Sequence, residues 1–453
     1  MLVNRLLMIC LLAGACCWCQ DAVQPAGEDA SAAQPAAGRT WSVHFQATSI
    51  GQEHGWFPSL YEGENSLPSH PEHRASVTAT VFLSLRWNSR WEFVIDPEIA
   101  GGRGFGLVTG IAGFTNGEIP RVASATPTLY PARAYVRYTV PLGSEVEHID
   151  NAANQAAGTE PVSRLSFVTG KFAITDFFDD NTYSHDPRTQ FVNWSLMYNG
   201  AWDYPADTRG YTIGTIQELK MRTWAFRAAS VMEPTTANGP TFDTRLGRNR
   251  GTALEYEHDH TVAKRTGAIR ILAFENLEDA GTYREAMRGA GEAPDLGPTR
   301  RNGTKKYGFG LNAEQQLSQD VGIFGRYGWN DGKTETWAFT EIDRSLSGGI
   351  SIKGLRWGRR EDTVGVGAVR NYISDDHRAF LAASGYGFII GDGRLNYRPE
   401  EIVEAYCAFH MPAGWTITPD FQWIANPAYN QDRGPVSAGV DPPALGALKR
   451  YEI

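Results

Sequence analysis

Cysteine is scarce in this 453-residue chain, and four of its five cysteines lie within the first 19 residues. The four are Cys10, Cys16, Cys17 and Cys19. Exported soluble proteins often carry disulfide bonds. If the leading segment is removed, only Cys407 remains, so an internal disulfide and a metal site made of paired cysteines are both excluded.

Basic charge and long apolar runs are also lacking. The formal net charge is −9, which argues against a nucleic-acid-binding surface because such domains are usually basic. After the leading segment, no stretch approaches the roughly 18 apolar residues that a membrane helix needs. The hydrophobic fraction of 42% resembles that of a soluble protein, but a transmembrane β-barrel has a similar fraction because only alternate residues face lipid.

Catalytic sequence motifs are absent as well. The chain has no Gly-x-Ser-x-Gly elbow and no phosphate-binding loop. His258 and His260 flank Asp259, but no third ligand is suggestively spaced, so we expect no metal site. A pair of carboxylates for glycoside hydrolysis is left open, because the separation that matters is spatial.

The first 19 residues have the pattern of a signal peptide. Asn4 and Arg5 form a short basic start, and residues 6–15 form an apolar run that ends in small residues. A lipoprotein leader is a weaker alternative, because small residues stand where leucine is expected before the cysteine. Residues 20–40 are rich in Ala, Pro, Gln and Gly and are expected to form a flexible linker.

Alternation of apolar and polar residues is the strongest signal in the rest of the chain. From Ala75 to Trp87 every second residue is apolar, and Phe82 alone interrupts the polar series between them. The same alternation occurs in residues 41–48, 307–314 and 415–425. Weaker alternation brings the predicted total to about sixteen strands, with candidates around residues 91–96, 134–140, 162–172, 191–198, 222–231, 252–258, 267–274, 321–329, 346–353, 363–369 and 402–410.

The connections between the predicted strands alternate between short and long. The short ones include Asn88–Arg90, Leu317–Asp320 and Met411–Gly414, and the long ones lie near residues 97–131, 233–249, 275–305 and 371–399. A membrane barrel with short periplasmic turns and long outer loops has this asymmetry. Trp87 and Trp91 flank one short turn, where aromatic rings suit the lipid–water interface. We therefore predict an all-β fold, a transmembrane antiparallel β-barrel over residues 41–440, in the outer membrane of a Gram-negative bacterium.

Alternation also assigns the residues that face the channel. If the apolar positions face lipid, the polar positions between them face the lumen, where they could bind a permeating solute and set selectivity at a constriction. The lumen and constriction candidates are Arg86, Arg137, Arg227, Glu255, Glu257, Asn312, Glu314, Arg326, Asp420 and Gln422. We expect a minority of them to lie at the constriction and the rest to line a wider pore.

The segment from Asp176 to Arg188 is dense in functional groups. A loop folded toward the pore would offer Asp179, Asp180, His185 and Arg188 to a solute. A capped turn is the alternative, since Asp and Asn before Pro favour turns. A calcium-binding loop is a third interpretation, but the expected spacing with a central Gly is absent.

Several segments resemble the carbohydrate-selective porin family of the OprB type. They are Gly170–Asn181, His185–Arg188, Phe191–Trp194, Leu311–Leu317, Gly328–Gly332, Gly391–Arg394, Pro399–Tyr406 and Ala425–Pro435. The resemblance extends over residues 41–437. It implies a sixteen-stranded outer-membrane barrel that passes mono- or oligosaccharides, with no covalent chemistry and no cofactor.

Two functions compete at this point. A porin would have sugars as permeating solutes and would meet outer-membrane lipid and the barrel-assembly machinery, as a monomer or a homotrimer. The alternative is a secreted or periplasmic soluble β protein that binds or hydrolyses polysaccharide. Heat-modifiable migration in detergent gels separates the two, because only a barrel shows it.

The C-terminal residues 441–453 depart from the resembled family. Pro442 and Pro443 cannot stand in a closing strand. The chain also lacks the terminal aromatic residue, generally Phe, with which family members usually end. We expect this tail to compromise assembly; a frameshift is one explanation, and imperfect closure with a hanging tail is the other.

Overall fold

The computed structural model describes residues 39–118, 125–288, 293–339 and 341–441. The predicted signal peptide 1–19, all but the end of the predicted linker 20–40 and the tail after Asp441 lie outside these residues. The expectations for those segments therefore stay predictions.

Strands dominate the described chain, and each runs antiparallel to its partners. The nineteen strands of this part are β1 (Thr40–His54), β2 (Glu72–Arg86), β3 (Trp91–Gly102), β4 (Thr128–Pro141), β5 (Val146–Ile149), β6 (Gly158–Pro161), β7 (Arg164–Phe172), β8 (Thr212–Met221), β9 (Trp224–Val231), β10 (Arg250–Val262), β11 (Arg265–Ala280), β12 (Arg301–Gln316), β13 (Val321–Asn330), β14 (Arg344–Gly354), β15 (Arg359–Tyr372), β16 (Glu400–Met411), β17 (Trp415–Ile417), β18 (Asp420–Ala425) and β19 (Val436–Asp441). β5 and β6 form a separate hairpin, while β17 and β18 pair with successive parts of β16 as two pieces of one strand. The predicted barrel of sixteen strands is therefore confirmed.

The last described strand closes the barrel against the first. On one side β19 pairs with residues 420–424 of β18. On the other side it pairs with residues 51–54 of β1. Closure matters because lipid offers no hydrogen-bond partner to an open sheet edge.

Side chains alternate between the inside and the outside of the wall, as β2 illustrates. Thr78 and Thr80 are buried inside the barrel, whereas Val77 is exposed on the outer face. Thr80 donates to Glu98 of β3 at 2.7 Å, so this inward hydroxyl has a protein partner. Phe82, which interrupts the sequence pattern, also points inward and stacks on His44, with ring centroids 5.3 Å apart.

One predicted strand, residues 191–198, is wrong. The segment lies inside the barrel and contains a one-turn helix, α1 (Trp194–Met197), whose N-cap Asn193 accepts from the Ser195 amide. Phe191 packs edge-on against Tyr406 of the inner wall, with ring centroids 5.0 Å apart. The apolar residues of this segment therefore form an internal core and not a lipid-facing strand.

β8 was not among the predicted strands. Its outer face includes Thr215 and Gln217, while Ile216 faces the lumen and is buried. In this strand, polar residues face outward and an apolar residue faces the lumen. Alternation of apolar and polar residues therefore does not predict β8.

Long connections occupy one end of the barrel and, except between β4 and β7, short turns occupy the other. Short turns follow β2, β8, β10, β12, β14 and β16, and longer connections follow β1, β3, β7, β9, β11, β13, β15 and β18. Two further helices, α2 (Tyr283–Arg288) and α3 (Asp375–Ala382), stand in the long connections. Short 3₁₀ helices occur at Phe105–Leu107, Ile174–Asp176, Gly297–Thr299, Leu355–Trp357, Pro412–Gly414 and Pro427–Tyr429. Across the described ranges, no helix combines the length and the apolar character needed to cross a membrane.

Three exposed tryptophans stand at the short-turn end, and a fourth, Trp56, lies in the long connection after β1. Trp87 and Trp91 flank the turn between β2 and β3, and Trp41 stands near the start of β1. The guanidinium of Arg39 lies over the Trp87 ring, 3.3 Å from its centroid. This placement fits the lipid–water boundary, where an aromatic ring with a polar neighbour is stable.

A buried histidine ties two of the long connections together. His377 of α3 lies with Nδ1 3.1 Å from Asp343 and stacks on Tyr283 of α2 at a centroid distance of 4.4 Å. Glu341 lies 3.7 Å from the other ring nitrogen. Burial disfavours the charged ring, but Asp343 and Glu341 outweigh burial and raise the pKa of His377 to about 9.

High pH should therefore loosen these connections. Because the pKa of His377 is raised from 6.5 to about 9, its stabilising charge is fully present below the lower value and is lost as pH rises through the higher one. Protease cleavage within residues 373–399, normalised to an unfolded peptide, should accelerate over that interval. The His377→Gln variant should be cleaved at a rate that pH does not change. A parental rate that is equally flat would contradict the assignment.

A pair of arginine substitutions tests the facing of β2. Val81→Arg places a charge against hydrocarbon and should destabilise the barrel by roughly 2–4 kcal/mol if it lies near the midplane. Thr80→Arg keeps the charge inside the barrel, beside Glu98, and should destabilise the barrel less. Heat-modifiable migration measures the folded fraction of each variant. A greater loss for Thr80→Arg would show that the faces are exchanged, as a one-residue slip would do, and equal losses would contradict the assigned facing.

Candidate functional site

The connection between β7 and β8, residues 173–211, folds into the barrel, and Asp179 is its main anchor. The Asp179 carboxylate accepts from Asn312 Nδ2 at 2.8 Å and lies 3.2 Å from the Arg326 guanidinium. The Asp179 amide donates to Glu255 at 2.7 Å. All four side chains are buried, so this connection is fixed to the strands of the opposite wall.

Asp179 and Arg326 also order the inserted connection itself. The Asp179 carboxylate accepts from the Asn199 amide at 2.7 Å, and the Asp179 backbone has a φ of 57°, which Asp tolerates better than most residues. Arg326 donates to the carbonyls of Leu196 and Ser184 at 3.1 and 2.6 Å. One wall arginine thus holds several turns of this connection together.

Carboxylates of two other strands bind backbone amides of the same connection. Glu314 of β12 accepts from the Thr182 amide at 2.6 Å. Glu404 of β16 accepts from the amides of Val192 and Asn193 at 2.6 and 3.0 Å. Glu404 is missing from the sequence-based candidates, although its inward position follows from the same rule as theirs.

Gln422 of β18 joins two inserted connections. It accepts from Asn193 Nδ2 and donates to the Thr115 carbonyl, both at 2.9 Å. Its amide nitrogen also lies 3.4 Å from Asp420. Together with the contacts of Asp179, Glu314 and Glu404, they fix the inserted connections against the wall of β10 to β18.

A cavity of about 720 Å³ remains between the inserted connections and the wall formed by β1–β4 and β7–β9. Six of the sequence-based candidates line it: Arg86, Arg137, Arg227, Asp180, His185 and Arg188. The other eight lie in the hydrogen-bond and ion-pair network beside it: Glu255, Glu257, Asn312, Glu314, Arg326, Asp420, Gln422 and Asp179.

Arg188 links the inserted connections to the cavity wall. It donates to Glu118 at 2.6 Å, to Gln46 at 2.9 Å and to Glu98 at 3.1 Å. Burial opposes its charge, but Glu118 and Glu98 outweigh burial and raise the pKa of Arg188 well above its ordinary value. The guanidinium is therefore a fixed cation between the inserted connections and β3.

Tyrosine rings stand beside this cation, and sequence reasoning missed them. The hydroxyls of Tyr130 and Tyr211 both donate to Glu98, the latter at 3.2 Å. The Arg209 guanidinium lies over the Tyr130 ring at 3.9 Å, and Arg133 lies 5.5 Å from the Tyr211 centroid. Tyr130 falls in the predicted long connection 97–131 and Tyr211 in no predicted strand, so alternation assigned neither ring to a face of the barrel.

Basic and acidic side chains are nearly balanced along the cavity. The basic lining residues are Arg86, Arg133, Arg137, Arg164, Arg188, Arg209, Lys220 and Arg227. The acidic ones are Glu92, Glu98, Glu118, Glu147, Glu160, Asp176, Asp180, Asp186 and Glu218. Eight charges of one sign therefore face nine of the other, and many form ion pairs, such as Arg227 with Glu218 at 2.8 Å.

The histidine pair at 258–260 does not form a metal centre with its neighbours. His260 lies 3.0 Å from the Gln315 amide oxygen. In the part of the chain that the structure describes, no group of three or more His, Cys, Asp or Glu side chains is arranged to hold a metal ion.

Comparison with known proteins gives a family and solved structures of similar fold. The family model of the carbohydrate-selective porin, OprB family, matches residues 91–439. Among solved structures, OprB of Pseudomonas putida is similar, with a TM-score of 0.65 and 14% identity over 92% of this chain and 94% of that one. The outer membrane channel DcaP of Acinetobacter baumannii has a TM-score of 0.46 and 9% identity over 92% and 98% of the two chains. No curated protein matches the sequence.

Removal of the Arg326 guanidinium should release the inserted connection. Arg326→Gln leaves the Asp179 carboxylate buried without its cation, which costs roughly 3–5 kcal/mol for a buried pair. The temperature at which the folded gel form disappears should fall, and the open-channel current should become noisier. Arg344→Gln, on an exposed residue of the neighbouring strand, is the matched control. Parental melting and parental current in Arg326→Gln would contradict the anchoring role.

Proposed function

The chain belongs to the OprB family of carbohydrate-selective porins and is an outer-membrane carbohydrate channel; we propose that it passes neutral mono- or oligosaccharides by passive diffusion through the cavity beside Arg188. The observation that carries this proposal is the lining of that cavity, in which tyrosine rings stand next to ion pairs of balanced charge. Nothing in the fold or in the comparisons supports the soluble alternative.

The lining suits a neutral polyol. A sugar has a rim of hydroxyl groups and less polar ring faces, so it needs hydrogen-bond partners and flat apolar surfaces together. Arg188, Glu98 and Glu118 supply the first, and the rings of Tyr130 and Tyr211 supply the second. Because neighbouring charges cancel, an ion gains little net attraction from the channel to replace its lost hydration.

We assign two roles to the candidate residues. The six that line the cavity are proposed to contact the solute, with Arg188 at the constriction. The eight behind them are proposed to hold the inserted connection in place. No covalent step and no cofactor enters this function, so the protein is proposed to be a passive channel and not an enzyme.

The segments before the barrel suggest how the protein is proposed to reach the membrane. Residues 1–19 act as the signal peptide and residues 20–40 as a linker, and the barrel-assembly machinery inserts the exported chain into the outer membrane of a Gram-negative cell. The assembled form is a monomer or a homotrimer, which cross-linking in native membranes would distinguish.

Reconstitution into liposomes tests this function. We expect the purified protein to permeabilise liposomes to neutral sugars and to favour them over amino acids of similar size, because the balanced lining has hydrogen-bonding groups and aromatic rings in place of a charge filter. The measurement is the rate of osmotic swelling for each solute, with protein-free liposomes as control. Swelling no faster than in that control would remove the porin function.

A further inference from the structure

The connection between β4 and β7 is the exception to the short turns at its end of the barrel. It carries the β5–β6 hairpin, and its tip, residues 152–156, lines the same cavity as Arg188. Ala156 is buried and belongs to the same apolar cluster as Phe82 and Tyr135 of the inner wall. The tip therefore lies inside the lumen, below the layer formed by Arg188 and the tyrosines.

Glu160 of this hairpin is clamped to the wall by arginines. It lies 3.1 Å from Arg137, 3.1 Å from Arg164 and 3.6 Å from Arg86. Arg86 also donates to the Ala156 carbonyl at 3.1 Å. The Glu160 carboxylate is thus contacted by arginines of β2, β4 and β7. One of these arginines, Arg86, also holds the backbone of the tip.

Glu147, on the partner strand of the hairpin, repeats this arrangement. It accepts from Arg164 at 2.8 Å and lies 3.9 Å from Lys220 of β8. An isolated two-stranded hairpin is marginally stable in water, so its position depends on such external contacts.

We propose that the Val146–Pro161 hairpin is a second selectivity element, which narrows the periplasmic exit of the channel and sets the upper size of the sugar that leaves it. The hairpin tip lines the same cavity as Arg188 and as Ile216 and Glu218 of β8, so a solute that has passed Arg188 meets the tip before it leaves the channel. The tip narrows the channel along residues 152–156. Long or branched oligosaccharides are therefore the first solutes that this part of the channel excludes. This inference rests on the proposed function.

The double variant Glu147→Gln/Glu160→Gln tests the clamp. Both carboxylates lose their charge while their size is kept, so the hairpin should leave the lumen more often. Liposome swelling with a trisaccharide should rise severalfold relative to a monosaccharide, and single-channel conductance should rise as well. Glu145→Gln is the matched control, since Glu145 pairs with the exposed Arg222 outside the cavity.

The outcomes separate this inference from the proposed function. If the parental protein passes no sugar, the proposed function fails. If it passes sugars but the trisaccharide-to-monosaccharide ratio and the conductance are the same in the double variant, the proposed function stands and the exit element is wrong.

A thiol at the tip gives a second test that leaves the clamp intact. Asn154 is exposed and lines the cavity, so Asn154→Cys treated with a charged methanethiosulfonate should lose most of its conductance. Ser89→Cys, in the exposed turn between β2 and β3, should keep its conductance, and the treated parental protein corrects for Cys407. Full labelling of Asn154→Cys with unchanged conductance would overturn the proposal.

Discussion

The contact between Asp179 and Arg326 is the constraint on which the rest of the channel depends. An ion pair buried in the lumen costs desolvation energy that the attraction recovers only with good geometry and additional hydrogen bonds. Those bonds are present, because Asn312, the Asn199 amide and the Ser184 carbonyl complete the shells of the two groups. The pair therefore fixes the inserted connection in one position, because any other position would leave a buried charge without its partner.

This fixed position divides the lumen into two halves. On the side of β10 to β18, strand carboxylates and amides bind loop amides, as Glu404 does with Val192 and Asn193. On the other side, the wall side chains that have no loop amide to bind pair with one another or with Arg188, and they surround the cavity. The same inward polar residues thus serve as supports in one half and as channel lining in the other, according to what stands opposite them.

The sequence predicted the barrel wall well because a membrane strand must separate its two faces. The alternation from Ala75 to Trp87 shows that separation directly. Phe82 is an apolar residue at an inward position, where it stacks on His44. The same rule fails for residues 191–198, whose apolar side chains pack inside the barrel. It also fails for β8, where Ile216 faces the lumen.

The candidate site was predictable only in part. Strand parity gave the inward direction of Arg86, Arg137 and Arg227, but it contains no information on where a connection folds back. Whether an inward residue supports the loop or faces the solute depends on contacts between residues more than 100 positions apart, such as Asp179 with Arg326. For the same reason the tyrosines near Glu98 and the β5–β6 hairpin emerged only from the fold.

A structure of the protein with a bound oligosaccharide tests the central claim most directly. We expect sugar density in the half of the lumen lined by Arg188, Tyr130 and Tyr211, with the Asp179 to Arg326 contact intact. Sugar density between the inserted connection and the wall of β10 to β18, with that contact broken, would contradict the division of the lumen described above.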